Sequence, residues 1–232
     1  DLHCLAQKYL GYVPLFARAL LEMGTEHEDY VSLVQRISRK TGGIHPESFS
    51  SGLQEKPGSA VWLVLRGKAT LEQCRDLFKI LEDILLYVHF DDQERFRQIL
   101  LEEKSRQEEM LIPAGHKVVD TRLRSRYTEA DWAEEHMNGV SYLFFLRYLA
   151  GLIDTDWEQI RDTLLEMKDD LVNQGCMRAN VTVDGQNWKT VQPMLHDFLA
   201  KIPAKKVQAR TWQAECVPGT EGLTLPAQVN YV

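Results

Sequence analysis

The sequence predicts an α+β fold, in which an antiparallel-rich mixed sheet is covered by helices and carries long helical insertions. Two observations support this class. Apolar residues recur at the helical period of about 3.6 in several long segments, whereas shorter segments alternate or form apolar runs as strands do. These segments follow the order helix, helix, strand, strand, several helices, strand, helix, strand. Such an order is typical of helices layered on one sheet.

The first helix contains Pro14 in its first turn, where proline is tolerated because the amide there has no helical partner. Its apolar stripe runs through Phe16, Leu20 and Met23. Gly24 is the expected end of the helix, since glycine is the usual residue just after a helical C-terminus.

Three further helices are predicted from capping boxes, in which a hydroxyl and a carboxylate or amide three positions later satisfy free backbone N–H groups. Apolar stripes follow at Leu71–Val88 and Trp157–Leu171, and Gly175 is the expected stop for the latter. The boxes pair Thr25 with Glu28, Thr70 with Gln73, and Thr155 with Glu158.

The segment 91–126 has a helical pattern but is unusually polar, notably over 102–109, which predicts a long helix exposed on most of its surface. Pro113 and Gly115 should break or kink it. A helix pair is expected at Ala130–Met137 and Ser141–Leu152, and another helix along Trp188–Phe198.

Strands are predicted at four places. Val61–Leu65 is a continuous apolar run, as expected of a strand covered on both faces. Met177–Val183 alternates like a half-buried strand and ends at an Asp-Gly turn. Ile44–Ser51 and Ala227–Val232 show weaker patterns.

Charge and hydropathy exclude some functions. Lys and Arg total 27 and Asp and Glu total 34, a formal net charge of −7. Such a chain is a poor generic binder of nucleic acid, because phosphate binding needs a positive patch. The basic clusters Arg36–Lys40 and Arg122–Arg126 are interpreted as solvated helix faces.

The most apolar run, Val140–Ile153, is too short to span a bilayer, so no membrane partner is predicted.

The chain ends suggest a truncated piece. The sequence starts at Asp1 without an initiator Met or a signal peptide, and it stops inside an alternating pattern. We therefore expect residues 1–232 to form a single domain cut at both ends from a longer chain, with a long helical segment at about 70–175.

The four cysteines give no recognisable framework. Cys4, Cys74, Cys176 and Cys216 contain no C-x-x-C pair, so neither a zinc ribbon nor a disulfide framework is indicated. A reducing compartment is the simpler expectation.

No catalytic or metal-binding residue is predicted in this chain. Seven histidines occur, yet no H-x-x-E-H or H-E-x-x-H motif places two of them one helical turn apart. Trp132-Ala133-Glu134-Glu135-His136 comes nearest, with Trp where the inverted motif needs its first His. His136, and the pair His116 and Asp120, are interpreted as surface residues. Cys74 lies on an apolar stripe and is interpreted as a core residue rather than a reactive thiolate.

Several segments together resemble the presequence protease branch of the pitrilysin/insulinase zinc metallopeptidases. The similarity runs in order along the whole chain, and its specificity comes from the combination. The segments are Tyr12–Thr25, Arg39–Ile44, Arg66–Lys68, Phe90–Phe96, Met137–Leu143 and Leu225–Val232.

This resemblance implies a clamshell of two halves, each built from two similar α/β domains around a chamber. The N-terminal half carries the inverted zinc motif, whose zinc activates a water. The chain is similar to the first domain of the other half, a pitrilysin/LuxS-like metallohydrolase domain without the metal site. Counting back from Gly24 by the family spacing places Leu15–Ala19 where the motif would lie, and Leu, Ala and Arg cannot bind zinc. No binding residue can be carried over, because the family's substrate-positioning Arg and Tyr would lie beyond Val232.

The resemblance implies a non-catalytic domain that forms part of the wall of a peptide-degrading chamber. Its expected partners are the catalytic N-terminal half and last domain of the same polypeptide, and unfolded peptide. Zinc is expected only in the catalytic half, and no cofactor in this chain. A bacterial member would be cytoplasmic, and a eukaryotic one would lie in the mitochondrial matrix or chloroplast stroma.

Two alternatives stay open at this point. Inactive relatives of such peptidases can serve as structural or adaptor subunits. An α+β domain with an unrelated enzymatic role is the other alternative, although no motif supports it.

Overall fold

The computed structural model describes residues 1–55, 58–214 and 220–225, and its helix-rich α+β fold confirms the predicted class. Two short 3-10 helices, Leu2–Cys4 and Gln7–Tyr12, come before the first α-helix. The elements that follow are α1 (Val13–Glu22), α2 (Tyr30–Lys40), β1 (Ile44–Gly52), β2 (Ser59–Gly67), α3 (Cys74–Leu86), α4 (Gln93–Met110), α5 (Gly115–Arg124), α6 (Glu129–Asn138), α7 (Val140–Leu152), α8 (Trp157–Leu171) and α9 (Gly185–Lys201).

Helix α1 lies at the centre of the fold and is buried on nearly every side. Pro14, Arg18 and Glu22 are its only half-buried residues. Their spacing of four places them on one stripe of the helix, while the other residues pack into the core. α2, α3, α4 and β1 all contact α1. A helix that is apolar on almost all sides must be enclosed by other elements, as this one is.

Gly24 ends this first helical segment as predicted. Its φ of 88° lies in the left-handed region, where a side chain is strained. A Cβ at this position would also lie 2.9 Å from the carbonyl oxygen of Glu28. Glycine is therefore required for the turn that leads to α2.

β1 and β2 form an antiparallel hairpin in which Ile44 pairs with Gly67 and Gly52 with Ser59. One face packs on the core through the half-buried Leu63 and other apolar residues of β2, and α6 contacts both strands. The two strand predictions are confirmed. The residues 61–65 are buried or half-buried, so both faces of β2 are at least partly covered. Cover of the outer face is incomplete, since Phe49, opposite Trp62, is 49% exposed.

The predicted helices after the hairpin are also confirmed. The polar segment forms α4 and α5, interrupted at 111–114 close to Pro113. The helix pair is α6 and α7, and the last predicted helix is α9. α4 packs against both α1 and α7, so the insertion is part of the same core.

The capping boxes, in contrast, do not mark the helix starts. α2 begins after Asp29, whose carboxylate accepts a hydrogen bond from the amide of Ser32 at 2.7 Å. The amide of Glu28 instead donates to the carbonyl of Thr25 at 3.3 Å, which closes a turn. α3 and α8 likewise begin downstream of their threonines, without a side-chain cap. Threonine can bond to nearby backbone in turns as well as at helix starts, and here the turn is preferred.

The strand predicted at Met177–Val183 is wrong. These residues belong to no helix or strand, and Arg178, Ala179 and Asn180 are exposed. An alternating pattern favours extended chain, but a strand also needs a neighbour to pair with, and the described residues provide none here. The predicted strand Ala227–Val232 lies outside the described residues.

A disulfide joins Cys4 to Cys176, which corrects the expectation that the cysteines form no such bond. They are 172 positions apart, so the pairing depends on the tertiary fold and leaves no local sequence signal. The reducing compartment inferred from cysteine spacing loses its support.

The segment after α9 returns to the same corner of the molecule. The indole of Trp212 donates to the carbonyl of Leu5 at 3.0 Å and stacks on His3 at 4.3 Å between ring centroids. The amide of Arg210 donates to the carbonyl of His3 at 2.7 Å. The first residues, the end of α8 and residues 203–214 are thus tied together beside the disulfide.

Within the described residues, no helix has the length and apolarity needed to cross a membrane.

The disulfide should contribute to stability by restricting the unfolded chain. Replacing Cys4 by Ser is expected to lower the free energy of unfolding by about 2–4 kcal/mol, measured by urea titration. Reductant should destabilise the wild type by a similar amount and leave the variant unchanged. Cys74→Ser is the matched control and should keep the full response to reductant. An equal response in Cys4→Ser and wild type would show that this bond does not form.

Candidate functional site

The segment Leu15–Ala19, where the family resemblance predicts the lost metal motif, lies in the middle of α1. The resemblance would place the histidine ligands at Leu15 and Ala19, and both of these residues are fully buried. It would place the motif glutamate at Arg18, which belongs to the half-buried stripe. Leu15 and Ala19 therefore contribute apolar contacts to the core.

Arg18 is held by carboxylates from two helices. Its Nε and Nη2 donate to the two carboxylate oxygens of Glu22, each at 2.9 Å. Nη2 also donates to Glu102 on α4 at 2.7 Å, and Nη1 donates to the carbonyl of Ile99 at 3.2 Å. The bidentate contact fixes the guanidinium in one plane, which a lysine could not reproduce.

The electrostatic balance at Arg18 favours its charged form. Burial lowers the pKa of the guanidinium, but the hydrogen bonds to Glu22 and Glu102 outweigh burial and leave the pKa above its usual value. Arg18 therefore provides a permanent positive charge between α1 and α4.

A second arginine completes the link between these helices. Arg95 of α4 donates from Nη2 to the carboxylate of Glu22 at 2.9 Å, and from Nε to the Glu22 carbonyl at 3.0 Å. Its guanidinium also lies 4.5 Å from the ring centroid of Tyr30. Glu22 is thus shared by two arginines, and its oxygens are occupied by guanidinium donors.

Glu103 lies next to this network and is 2% exposed. Arg106 donates to it at 2.5 and 3.0 Å, and Gln107 at 3.3 Å. Burial raises the pKa of Glu103, but the hydrogen bonds and charge of Arg106 outweigh this and hold the pKa below its usual value. Burial also raises the pKa of the neighbouring Tyr142 phenol well above its usual value, with a further contribution from Glu103.

These residues do not fit a zinc ion. Leu15 and Ala19 have no donor atoms, and the charged guanidinium of Arg18 repels a cation. Among the described residues, no group of three or more His, Cys, Asp or Glu is arranged to hold a metal. The carboxylates around Arg18 are paired with guanidinium groups. This arrangement therefore acts as a structural link between α1 and α4.

The other chemically interesting residues lie apart from this network. The Nδ1 atom of His136 lies 2.9 Å from the carbonyl oxygen of Trp132, and the two rings are 4.3 Å apart. Glu135 is fully buried and paired with Arg122 at 3.1 Å. Cys74 is half-buried on α3, and burial raises the pKa of its thiol, which disfavours a thiolate.

His116 and Asp120 share α5, and Asp120 lies 3.8 Å from Arg124.

The sequence did not reveal the role of Arg18, because its partners Glu102 and Ile99 are more than 80 positions away. The i,i+4 spacing of Arg18 and Glu22 was the only local signal of an ion pair.

Residues 1–149 match the family described as Peptidase M-16C associated. The whole chain is 36% identical over 234 residues to a protein of Arabidopsis thaliana named Presequence protease 1, chloroplastic/mitochondrial, and covers 22% of it. Proteins named Presequence protease, mitochondrial are 25% identical in Danio rerio, over 86% of the chain, and 25% identical in Saccharomyces cerevisiae, over 83%. The chain covers 19% and 20% of these two relatives, so it spans about a fifth of each.

Replacing Arg18 by Met keeps most of the side-chain volume and removes the donors to Glu22 and Glu102. The free energy of unfolding should fall by about 1–2 kcal/mol at neutral pH, because hydrogen bonds to charged groups are lost at a half-buried position. Arg39→Met, at an exposed position of α2, is the control and should change it by less than about 0.5 kcal/mol. Equal values for the two variants in urea titrations would rule out a structural role for the Arg18 network.

Glu103 predicts a specific acid sensitivity. Its pKa is lower in the folded than in the unfolded chain, so its stabilisation is complete above the ordinary glutamate pKa of about 4.3. This contribution is lost as the pH falls through the lower folded pKa. The stability difference between wild type and Glu103→Gln should therefore be largest near neutral pH and shrink below about pH 4. Glu109→Gln, exposed on the same helix, is the control. If the difference in unfolding free energy between wild type and Glu103→Gln stays constant with pH, the pKa of Glu103 is not lowered in the folded chain.

Proposed function

The chain belongs to the family of domains associated with M-16C peptidases, and we propose on that basis that it is a non-catalytic domain of a presequence-type oligopeptidase. In this proposal the chain forms part of the wall of a chamber in which unfolded peptides are degraded. Zinc and the reacting groups belong to a catalytic half elsewhere in the same polypeptide, which is a partner of this domain together with a last domain.

The observation that carries the proposal is the set of side chains on α1 at the positions where the resemblance places the metal motif. Leu15 and Ala19 are fully buried where ligands would be needed, and Arg18 pairs with Glu22 and Glu102. A helix with these side chains supports the core of its domain but cannot activate a water. A role as a supporting part of a peptidase fits this chemistry better than a hydrolase of its own.

The exposed surface supports a place inside a larger assembly. α5 has 10 residues, none of them buried, and it exposes Val119 and Leu123 on one face. So short a helix is marginal without packing, so a partner for this face is expected. Phe144 and Tyr148 are also exposed, one turn apart on α7. These apolar surfaces are suited to contacts with the other parts of a longer polypeptide.

The relatives suggest where such a protein acts. The plant relative is named chloroplastic/mitochondrial, and the fish and yeast relatives are named mitochondrial. We propose the mitochondrial matrix or chloroplast stroma for a eukaryotic source and the cytoplasm for a bacterial one.

The proposal predicts that the purified chain has no peptidase activity of its own. After incubation with zinc and dialysis, elemental analysis should find no stoichiometric metal, because α1 offers no ligand set. An unfolded, quenched-fluorescent peptide should stay intact with the chain alone. The longer polypeptide should cleave the same peptide and lose this activity with a chelator.

Cleavage by the chain alone that a chelator abolishes would refute a non-catalytic role. Absence of peptidase activity in the longer polypeptide as well would instead favour an inactive structural or adaptor subunit.

A further inference from the structure

We propose that residues 220–225 form a strap that holds α5 against α6, and that α5 opens locally when this strap is released. The strap acts through one ion pair, between Glu221 and Arg122 of α5. Its residues lie outside every helix and strand, and the paired side chains are 99 positions apart. The inference goes beyond the proposed function, because it concerns a conformational device within the chain itself.

Helix α5 depends on its neighbours for its position. None of its 10 residues is buried, and Val119 and Leu123 are exposed. Helices shorter than about 12–15 residues are marginal in water, so this helix needs contacts outside itself. Ala114 and Ser125, just before and after α5, are buried and anchor its two ends. Between these anchors, side-chain contacts to α6 and its surroundings decide whether α5 stays closed.

Arg122 makes the contact that fixes α5 on the side of the core. Its side chain is 16% exposed, and Nη1 donates to the carboxylate of Glu135 at 3.1 Å and to the hydroxyl of Ser141 at 3.0 Å. Glu135 is fully buried on α6, and its Oε2 atom has no hydrogen-bond partner among the described residues. Departure of Arg122 would leave this buried carboxylate without its guanidinium partner, which is strongly unfavourable.

Glu221 binds the other edge of the same guanidinium. Nε of Arg122 donates to Oε2 at 2.8 Å and Nη2 donates to Oε1 at 3.0 Å, which makes a bidentate pair. The hydrogen bond to Glu221 is the largest of the causes that raise the pKa of Arg122 above its usual value. The same bond is the main cause that lowers the pKa of Glu221. The strap and the buried Glu135 thus hold Arg122 through different nitrogen atoms.

The strap determines how firmly Arg122 is fixed. A planar guanidinium with both edges occupied has a single orientation, whereas the loss of one bidentate partner gives a long side chain its rotamers back. Arg124 is the other charged link from α5 to α6, and it pairs with Asp131 at 2.7 Å. Its side chain is 62% exposed, and such exposed pairs contribute little. Release of Glu221 should therefore raise the frequency with which α5 leaves α6.

The position of the strap allows it to link α5 to movements elsewhere. The indole of Trp212 is bound to the carbonyl of Leu5 near the disulfide, whereas Glu221, further along the chain, is bound to the helical insertion. A displacement of the strap would break the outer pair of Arg122 before the buried one. In the longer polypeptide, movement of the last domain would release the strap and loosen α5, a step that rests on the proposed function.

Hydrogen–deuterium exchange with mass spectrometry tests the strap, in the chain and in the longer polypeptide. Glu221→Gln keeps the shape of the side chain and removes its charge. The amides of α5 should exchange about tenfold faster in this variant, because a charge-assisted bidentate contact that opposes opening is lost. Exchange in α1 and in the hairpin should stay as in wild type. Glu55→Gln, at an exposed position between β1 and β2, is the matched control and should change nothing.

A second variant and a salt series separate the strap from other charges on α5. Arg124→Gln removes the exposed pair with Asp131 and should change α5 exchange by less than about twofold. Sodium chloride at about 1 M should raise α5 exchange in wild type toward that of Glu221→Gln, because salt screens the outer ion pair. The Glu221→Gln variant, which lacks this pair, should respond less.

Equal α5 exchange in wild type and Glu221→Gln, at low and at high salt, would overturn the inference. Faster exchange spread evenly over all elements would also overturn it, since the variant would then lower global stability without releasing α5. A difference seen in the chain but not in the longer polypeptide would mean that another segment holds α5 there, with the same consequence. The proposed function has separate readouts, because exchange is measured without zinc or peptide.

Discussion

The burial of α1 is the constraint on which the rest of the structure depends. Helices α2, α3 and α4 and strand β1 all pack against it, and its only half-buried stripe consists of Pro14, Arg18 and Glu22. A polar ligand at a fully buried position of this helix would have to be desolvated and paired. Leucine and alanine at positions 15 and 19 avoid that cost and bring apolar contacts to the core. The same burial that stabilises the domain therefore removes the possibility of a metal site there.

The charged stripe of α1 solves a second problem, the attachment of the long polar helix α4. That helix buries few residues, among them Phe96 and Ile99. Its contact with α1 is completed by Glu22, which is bound by Arg18 from its own helix and by Arg95 from α4. Ion pairs at such half-buried positions add little stability by themselves, but bidentate geometry fixes how the two helices are aligned. A fixed alignment keeps the long polar helix in one position on the core of the domain.

Much of the fold could be predicted from the sequence, because apolar periodicity reports directly on which side of an element is buried. Helices α1, α4 and α9 and the hairpin were found in this way. Features that depend on distant residues could not be found. The Cys4–Cys176 disulfide joins residues that are 172 positions apart, and Arg18 pairs with Glu102 on another helix. The region 177–183 has the alternation of a strand without a strand beside it among the described residues. For the candidate site, the sequence placed Arg18 and Glu22 on one face of α1, whereas their links to Glu102 and Arg95 required the packing of α4.

The hairpin shows how the exposed edge of β1 is protected. A two-stranded sheet is marginal alone and needs apolar packing on a face, which the core side of β2 provides. Proteins commonly protect exposed edges with proline and charge, and the first half of β1 has Pro46 and the ion pair of Glu47 with Arg66. The second half, Ser48–Gly52, lacks such protection but lies in a groove whose far wall is formed by α5 and α6. Helices at this position hinder the approach of the edge of another folded sheet. The packing of α5 and α6 therefore protects the second half of the strand, as proline and charge protect the first.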